Sequence, residues 1–226
     1  MVPGSEEWMR GEGVEAVART DYGTYLTLPV EADATSRTAR DRKTGRRRLG
    51  SRLGWPVVRS LDEREIRSSF VNCSKGEVGR IRMPSGLGGI RWADLDYLGW
   101  TDPGAPLRSL LVVPRADGVT GLVLRRPEAS GAKASAVRST MCRVCLTEHG
   151  ASGVALFVAP LAGAAGRRGN TVGEYLCADL ACSLYLRGKR QPRMRLVRRE
   201  ETLTMEERID RAMANLSSFV DRVTAG

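Results

Sequence analysis

The stretch MCRVCLTEHG, residues 141–150, places Cys142 and Cys145 two residues apart, with His149, the chain's only histidine, close behind. Close cysteine pairs bind metals, form disulfides or carry out redox chemistry, depending on their surroundings. The role of this pair decides the fold, because a metal knuckle and a disulfide loop organise the neighbouring chain differently.

A second cysteine pair, Cys177 and Cys182, lies in the stretch YLCADLACSLY. A C-x2-C turn supplies two thiolates, and a second pair can complete a tetrahedral zinc site. We expect Cys177 just before a helix and Cys182 in its early turns, where the helix N-terminus favours thiolate charge. Four thiolates leave no open coordination position, so we expect one structural Zn²⁺. The predicted order of knuckle, strand, loop and ligand-bearing helix is that of a treble-clef zinc finger.

Other interpretations fit these residues less well. A thioredoxin-like site needs its C-x-x-C within a βαβ unit, and the second pair would then have no role. A zinc deaminase needs H-x-E, whereas Glu148 precedes His149 here. With four cysteines available, we expect His149 beside the site or at the surface. No base is positioned to partner it, so we expect no enzyme.

Composition and charge limit the class of protein. The 226 residues are 42% hydrophobic, enough for a core. The longest apolar run, VALFVAPLAGAA, is too short to span a bilayer, and the first twenty residues hold no apolar signal segment. We expect a soluble cytoplasmic monomer, and a reducing cytosol favours metal ligation over disulfides.

The net charge of +10 is concentrated in one segment. Residues 37–52, RTARDRKTGRRRLGSR, contain eight basic residues and one aspartate, which leaves +3 for the rest of the chain. We therefore expect residues 1–57 to be a flexible, disordered basic extension, and residues 58–226 to be the folded domain. Two alternatives remain open for the extension: a basic arm that touches RNA or the ribosome, and a true translation start near Val57 or Val58.

Local signals place several elements in the folded part. Ser60 and Glu63 form an S-x-x-E capping box, which predicts a helix that ends near Gly76 and buries Cys73 as an inert thiol. Thr204 and Glu207 form a second box before a C-terminal amphipathic helix.

Strand signals lie between these two helices. SLLVVP and VTGLVLRR, joined by RADG, predict a β-hairpin, and VALFVA predicts a further strand. We expect RPEASGAKASAVRS and AGRRGNTVGE to be loops, and Gly188 to end the ligand-bearing helix. The predicted class is α+β, with a small antiparallel sheet, flanking helices and a treble-clef zinc finger.

The runs SFVNCSKGE, WADLDYLGW, MCRVC with EHG, and GNTVGEYLCADLACSLYLRGK resemble the FBP-type domain, the C-terminal treble-clef zinc-finger module of FusB-like elongation factor G-binding proteins. The resemblance covers about residues 58–226 and is nearest to actinobacterial single-domain members. It implies zinc ligation by Cys142, Cys145, Cys177 and Cys182.

The same resemblance implies a non-catalytic adaptor that binds elongation factor G. In the fusidic-acid-resistance proteins, such a module promotes release of the factor from the ribosome. Those proteins carry a helical N-terminal bundle, and residues 1–57 show no such pattern. The matching run offers these candidate partner-binding residues: Arg168, Asn170, Tyr175, Tyr185, Arg187 and Lys189.

A nucleic-acid-binding zinc finger is the alternative. In that case RGKRQPRMRLVRR, which starts at Arg187, would track phosphates of ribosomal RNA. The acidic residues around it offset the charge, and no aromatic residues are interleaved. We therefore rank this function second.

We predict that residues 1–57 are dispensable for folding, because every helix, hairpin and ligand signal lies beyond them. Limited proteolysis should leave a stable core that begins near residue 58. An N-terminal segment that resists the protease, or insolubility of a protein comprising residues 58–226, would contradict this boundary.

Overall fold

The structure, a computed structural model, describes residues 54–56, 58–127, 141–150, 153–192 and 201–226. The basic run of residues 37–52 and most of the predicted loop RPEASGAKASAVRS lie outside the described residues. The boundary at residue 58 stays a prediction. Trp55, on its N-terminal side, packs against the main core.

Five antiparallel strands form one sheet in the order of the sequence, β1-β2-β3-β4-β5. They are β1 Leu98–Thr101, β2 Arg108–Arg115, β3 Gly118–Arg125, β4 Val154–Pro160 and β5 Thr171–Cys177. The predicted hairpin is the β2–β3 pair, closed where Arg115 pairs with Gly118. Gly118 has φ 145°, which favours glycine at this turn.

The sheet buries both of its faces. On β2 and β3, the main core takes Leu111, Val113, Leu122 and Leu124 together with the cysteines and the C-terminal helix. Neighbouring side chains alternate across a strand, so Leu110, Val112 and Val123 point to the opposite face. These three side chains are also buried. The sheet is therefore the middle layer between an N-terminal segment and the cysteine-bearing half.

The N-terminal segment contains two short helices, α1 (Glu63–Ser68) and α2 (Lys75–Gly79), where one was predicted. Asp62, and not Ser60, caps α1 in a capping box with Glu65. Another capping box, formed by Ser74 and Glu77, starts α2. Gly76 therefore lies inside this helix and does not end the predicted one. The helix breaks between them because residues 69–72 pair with the sheet.

Cys73 lies in the connection between these helices. Its side chain is half-buried, where full burial was expected, and the thiol is free. Burial, with a smaller effect of the nearby Glu77 carboxylate, raises the pKa of Cys73 to about 11. The thiol is therefore protonated and unreactive at neutral pH, as the sequence indicated.

Asn72 fills a gap in the sheet between β3 and β4, which pair directly only at Arg125 and Val158. Its amide accepts from Val123 N–H at 2.8 Å and donates to Val123 C=O and Pro160 C=O at 3.0 Å each. The preceding residues form a bridge with Gly121, where a Cβ would lie 2.5 Å from Ser69 Oγ. Residues 69–72 thus act as a short strand inserted next to β3. The last of them, Asn72, pairs through its side chain.

The remaining helices are α3 (Gly163–Arg167), α4 (Cys182–Leu186) and α5 (Met205–Thr224). The stretch AGRRGNTVGE, residues 165–174, is therefore not wholly a loop, since it holds the end of α3 and the start of β5. Gly188 follows α4 in the left-handed region, at φ 67°, and ends the helix as predicted. The box of Thr204 with Glu207 caps α5.

One face of α5 packs into the main core, through Met213, Leu216, Phe219, Val220 and Val223. Within the described ranges, no helix combines the length and the apolar character needed to cross a membrane.

We predict that Asn72→Ala lowers the free energy of unfolding by about 1–3 kcal/mol, because it leaves buried backbone groups of β3 without partners. Chemical denaturation of the zinc-loaded protein measures the change. Asn170→Ala, at an exposed position, is the control and should change stability little. Equal stability of the two variants would contradict the role given to Asn72.

Candidate metal centre

The first cysteine pair lies in a tight turn just before β4. Leu146 N–H donates to Cys142 C=O at 2.9 Å, and Cys142 N–H donates to Thr147 C=O at 3.1 Å. Leu146 has φ 57°, a left-handed conformation that is costly for a side chain of this size. Both cysteine side chains are buried and point into the same core.

The second pair joins a strand to a helix. Cys177 is the last residue of β5 and Cys182 the first residue of α4, as the spacing predicted. Leu180 repeats the feature of the first turn, with φ 56° and a hydrogen bond from its N–H to Cys177 C=O at 2.8 Å. Among described residues other than glycine, only these two leucines have positive φ.

The four sulfur atoms converge. Cys142 Sγ lies 3.7 Å from Cys182 Sγ, and Cys145 Sγ lies 3.5 Å from Cys177 Sγ. All four lie within 4.8 Å of one another, and none forms a disulfide. Zinc–sulfur bonds of about 2.3 Å in a tetrahedron put neighbouring sulfurs about 3.8 Å apart. The donor set therefore fits one structural Zn²⁺, which would be held by these four residues.

Without a cation the four thiols cannot all ionise. Hydrogen bonding with Cys142 lowers the pKa of Cys145, whereas hydrogen bonding with Cys142 and Cys145 raises that of Cys177. A divalent cation removes this conflict by stabilising four thiolates at once.

His149 lies against the cysteines but outside the four-sulfur set. Its Nε2 is 3.3 Å from Cys177 Sγ, and its ring meets the Tyr185 ring edge-on at 4.7 Å. His149 is only 3% exposed. Of the two positions expected for it, beside the site or at the surface, the structure therefore shows the first. A Cβ at Gly153 would lie 2.4 Å from His149 Cβ, so glycine is needed there. Burial lowers the pKa of His149, which favours the neutral ring.

Contacts from distant elements fix both turns. Tyr97 donates its hydroxyl to Leu180 C=O at 2.8 Å, and Asn215 of α5 donates to Val144 C=O at 3.1 Å. A Cβ at Gly99 of β1 would approach Leu180 Cβ to 2.8 Å. Sequence reasoning did not identify these supports. WADLDYLGW carried a signal, since a tyrosine near a glycine in a strand marks close packing.

The comparison with protein families decides the classification. Residues 65–223 match the family described as the FBP C-terminal treble-clef zinc-finger. The chain belongs to this family. Neither the curated proteins nor the solved structures gave a match to the chain. Membership in this zinc-finger family and the convergence of four cysteines agree on one structural zinc.

Three of the candidate partner-binding side chains of this FBP-family protein contact its own acidic residues. Tyr185 donates its hydroxyl to Asp179 at 2.8 Å. Arg187 forms a two-point ion pair with Asp96, at 2.6 and 2.7 Å, and Lys189 pairs with Asp94. The two ion pairs join the α4 region to the segment before β1, whereas the Tyr185 bond links α4 only to the connection between β5 and α4.

The other three candidates lie along β5 and the turn before it. Arg168 and Asn170 are exposed in the turn between α3 and β5. Tyr175 is half-buried against the core, and its C=O accepts from Arg143 N–H at 2.8 Å. The structure therefore does not gather the six candidates into one cluster.

We predict that the purified protein contains one equivalent of zinc and that Cys177→Ser loses both the metal and the folded finger. Structural zinc can contribute about 10–16 kcal/mol to folding, so the loss should be visible as a large fall in melting temperature. Elemental analysis and thermal melting measure the two effects. Cys73→Ser, at the free cysteine outside the cluster, is the matched control and should keep full zinc. Zinc below half an equivalent in the wild-type protein would contradict the assignment.

Proposed function

We propose that the protein is a non-catalytic adaptor that binds elongation factor G in the cytoplasm and acts in translation. The observation that carries the proposal is the closed four-thiolate centre in a chain of the FBP zinc-finger family. Such a centre leaves no coordination position for water or substrate, so its role is to fix the shape of a binding surface.

The charges of the described part favour a protein partner over nucleic acid. The basic run that would track phosphates starts at Arg187, but Arg187 and Lys189 are neutralised by Asp96 and Asp94. Arg190, the next cation, lies 3.2 Å from an Asp179 carboxylate oxygen. Phosphate binding would have to break these pairs. The remainder of the run, residues 193–199, lies outside the described residues.

Among the six candidates, Arg168 and Asn170 are the best placed to contact a partner. Both are exposed, and no ion pair of Arg168 occurs within the described part of the chain. Three other candidates stabilise the fold of this surface, because Tyr185, Arg187 and Lys189 bind acidic groups of the same chain. Release of the factor from the ribosome is a further step that we propose only as a consequence of binding.

We predict direct binding of the full chain to purified elongation factor G from the same host, measured by calorimetry at low and physiological salt. Arg168→Ala and Asn170→Ala should each weaken binding while leaving zinc content and melting temperature unchanged. Removal of zinc should abolish binding, because the finger then unfolds.

Salt dependence separates the two candidate partners. An interface built on packed side chains should weaken modestly between low and physiological salt, whereas phosphate contacts lose affinity steeply. No binding to the factor at physiological salt, together with salt-sensitive binding to ribosomal RNA, would overturn the proposal in favour of a nucleic-acid-binding finger.

A further inference from the structure

A cavity of about 330 Å³ lies at the end of the β2–β3 hairpin that is remote from its turn. Its apolar part consists of Ile81, Ala105, Leu107 and Val123. Ile81 and Val123 are buried, whereas Leu107 is 45% exposed. The charged residues of the lining are Glu77, Arg108, Arg125 and Arg126. Ligand cavities are usually about 300–1,000 Å³, so this one suits a single large side chain or a small ligand.

The charged rim has one cation without a carboxylate partner in the described ranges. Arg108 binds the fully buried Asp102 at 2.7 Å, and Arg125 lies 3.7 Å from Glu77. Arg126 stacks over the Phe157 ring at 5.7 Å, and no ion pair involves it within those ranges. With Arg108 paired to Asp102 and Arg125 near Glu77, Arg126 leaves the described rim with one unbalanced positive charge.

The wall of the cavity is fixed before any ligand binds. Asp102 accepts from Gly104 N–H at 2.8 Å and from Arg82 N–H at 3.2 Å. Burial opposes the charge on Asp102, but these hydrogen bonds and the Arg108 guanidinium lower its pKa on balance. Arg126 N–H donates to Leu107 C=O at 2.8 Å. This bond joins the residue after β3 to the residue before β2. A preformed wall reduces the ordering cost of binding.

The lining chemistry selects the class of ligand. Its floor is aliphatic, and the described lining residues include no aromatic side chain on which a base could stack, so single-stranded nucleic acid is disfavoured. An exposed leucine beside an arginine that has no carboxylate partner among the described residues suits an apolar side chain flanked by carboxylates. Such anchors seated in pockets supply most of the energy of protein interfaces.

We infer that this cavity receives an apolar side chain within an acidic segment of the protein partner. The inference rests on the proposed function, because it adds a contact region to the same complex. A series of hydrogen bonds fixes the cavity floor relative to the exposed turn: Asn72 bonds both Val123 C=O in the floor and Pro160 C=O, and the N–H of Leu161 donates to Asn170 C=O.

Calorimetry of the full-length protein against purified elongation factor G at physiological salt tests the inference. Arg126→Glu opposes an acidic segment and should weaken binding by at least about tenfold. Leu107→Asp should weaken it similarly, and because Leu107 is exposed and lies outside the buried core this change should leave folding intact. Arg64→Glu, the same charge change at an exposed position of α1 that does not line the cavity, is the matched control and should bind within about twofold of wild type.

Each alternative has a distinct outcome. If the wild-type protein binds the factor and both cavity variants bind it with the same affinity, this inference is overturned. The proposed function then stands. A lower melting temperature of Leu107→Asp with unchanged binding would overturn it too, because Leu107 would then serve the fold and not the partner. Weaker binding of Arg126→Glu to ribosomal RNA, but not to the factor, would assign the cavity to RNA. No binding by the wild-type protein would overturn the proposed function and this inference with it.

Discussion

The convergence of four buried thiols is the constraint on which the rest of the structure depends. Cys142, Cys145, Cys177 and Cys182 come from a turn, a strand end and a helix start, and their sulfurs lie within 4.8 Å of one another. Because like charges at this spacing repel, the arrangement needs a cation at its centre. It also needs two leucines in left-handed conformations, an unfavourable geometry that persists only where surrounding contacts hold it in place.

Features set by neighbouring residues were predictable from the sequence. The hairpin, the β4 strand, the end of α4 at Gly188 and the α5 capping box each depend on a few adjacent residues, and each prediction was confirmed. The cysteine spacing likewise predicted the ligand set. The N-terminal helix was predicted wrongly, since two overlapping capping boxes are compatible with the sequence. Pairing of residues 69–72 with β3, a tertiary contact, ends α1 and separates it from α2.

Features set by contacts across the chain were not predictable. The spacing placed His149 near the cysteines, but only the fold shows it against Cys177 and Tyr185. Arg187 and Lys189 looked like free cations in the sequence, whereas their aspartates lie more than ninety positions earlier. Charge alone therefore overstates the basic character of this surface, because ion pairs between distant residues cannot be read from local sequence.

The side chain of Asn72 has a consequence for how the molecule folds. It bonds β3 and β4 at sequence separations of 51 and 88 residues, so its site cannot exist until both strands are in place. Closure of such long loops is entropically costly and occurs late. The four cysteines share one buried core with Leu122 and Leu124 of β3 and Phe157 of β4. The two halves of the chain should therefore unfold as one cooperative unit, with the metal acting on the stability of a segment seventy residues away from its first ligand.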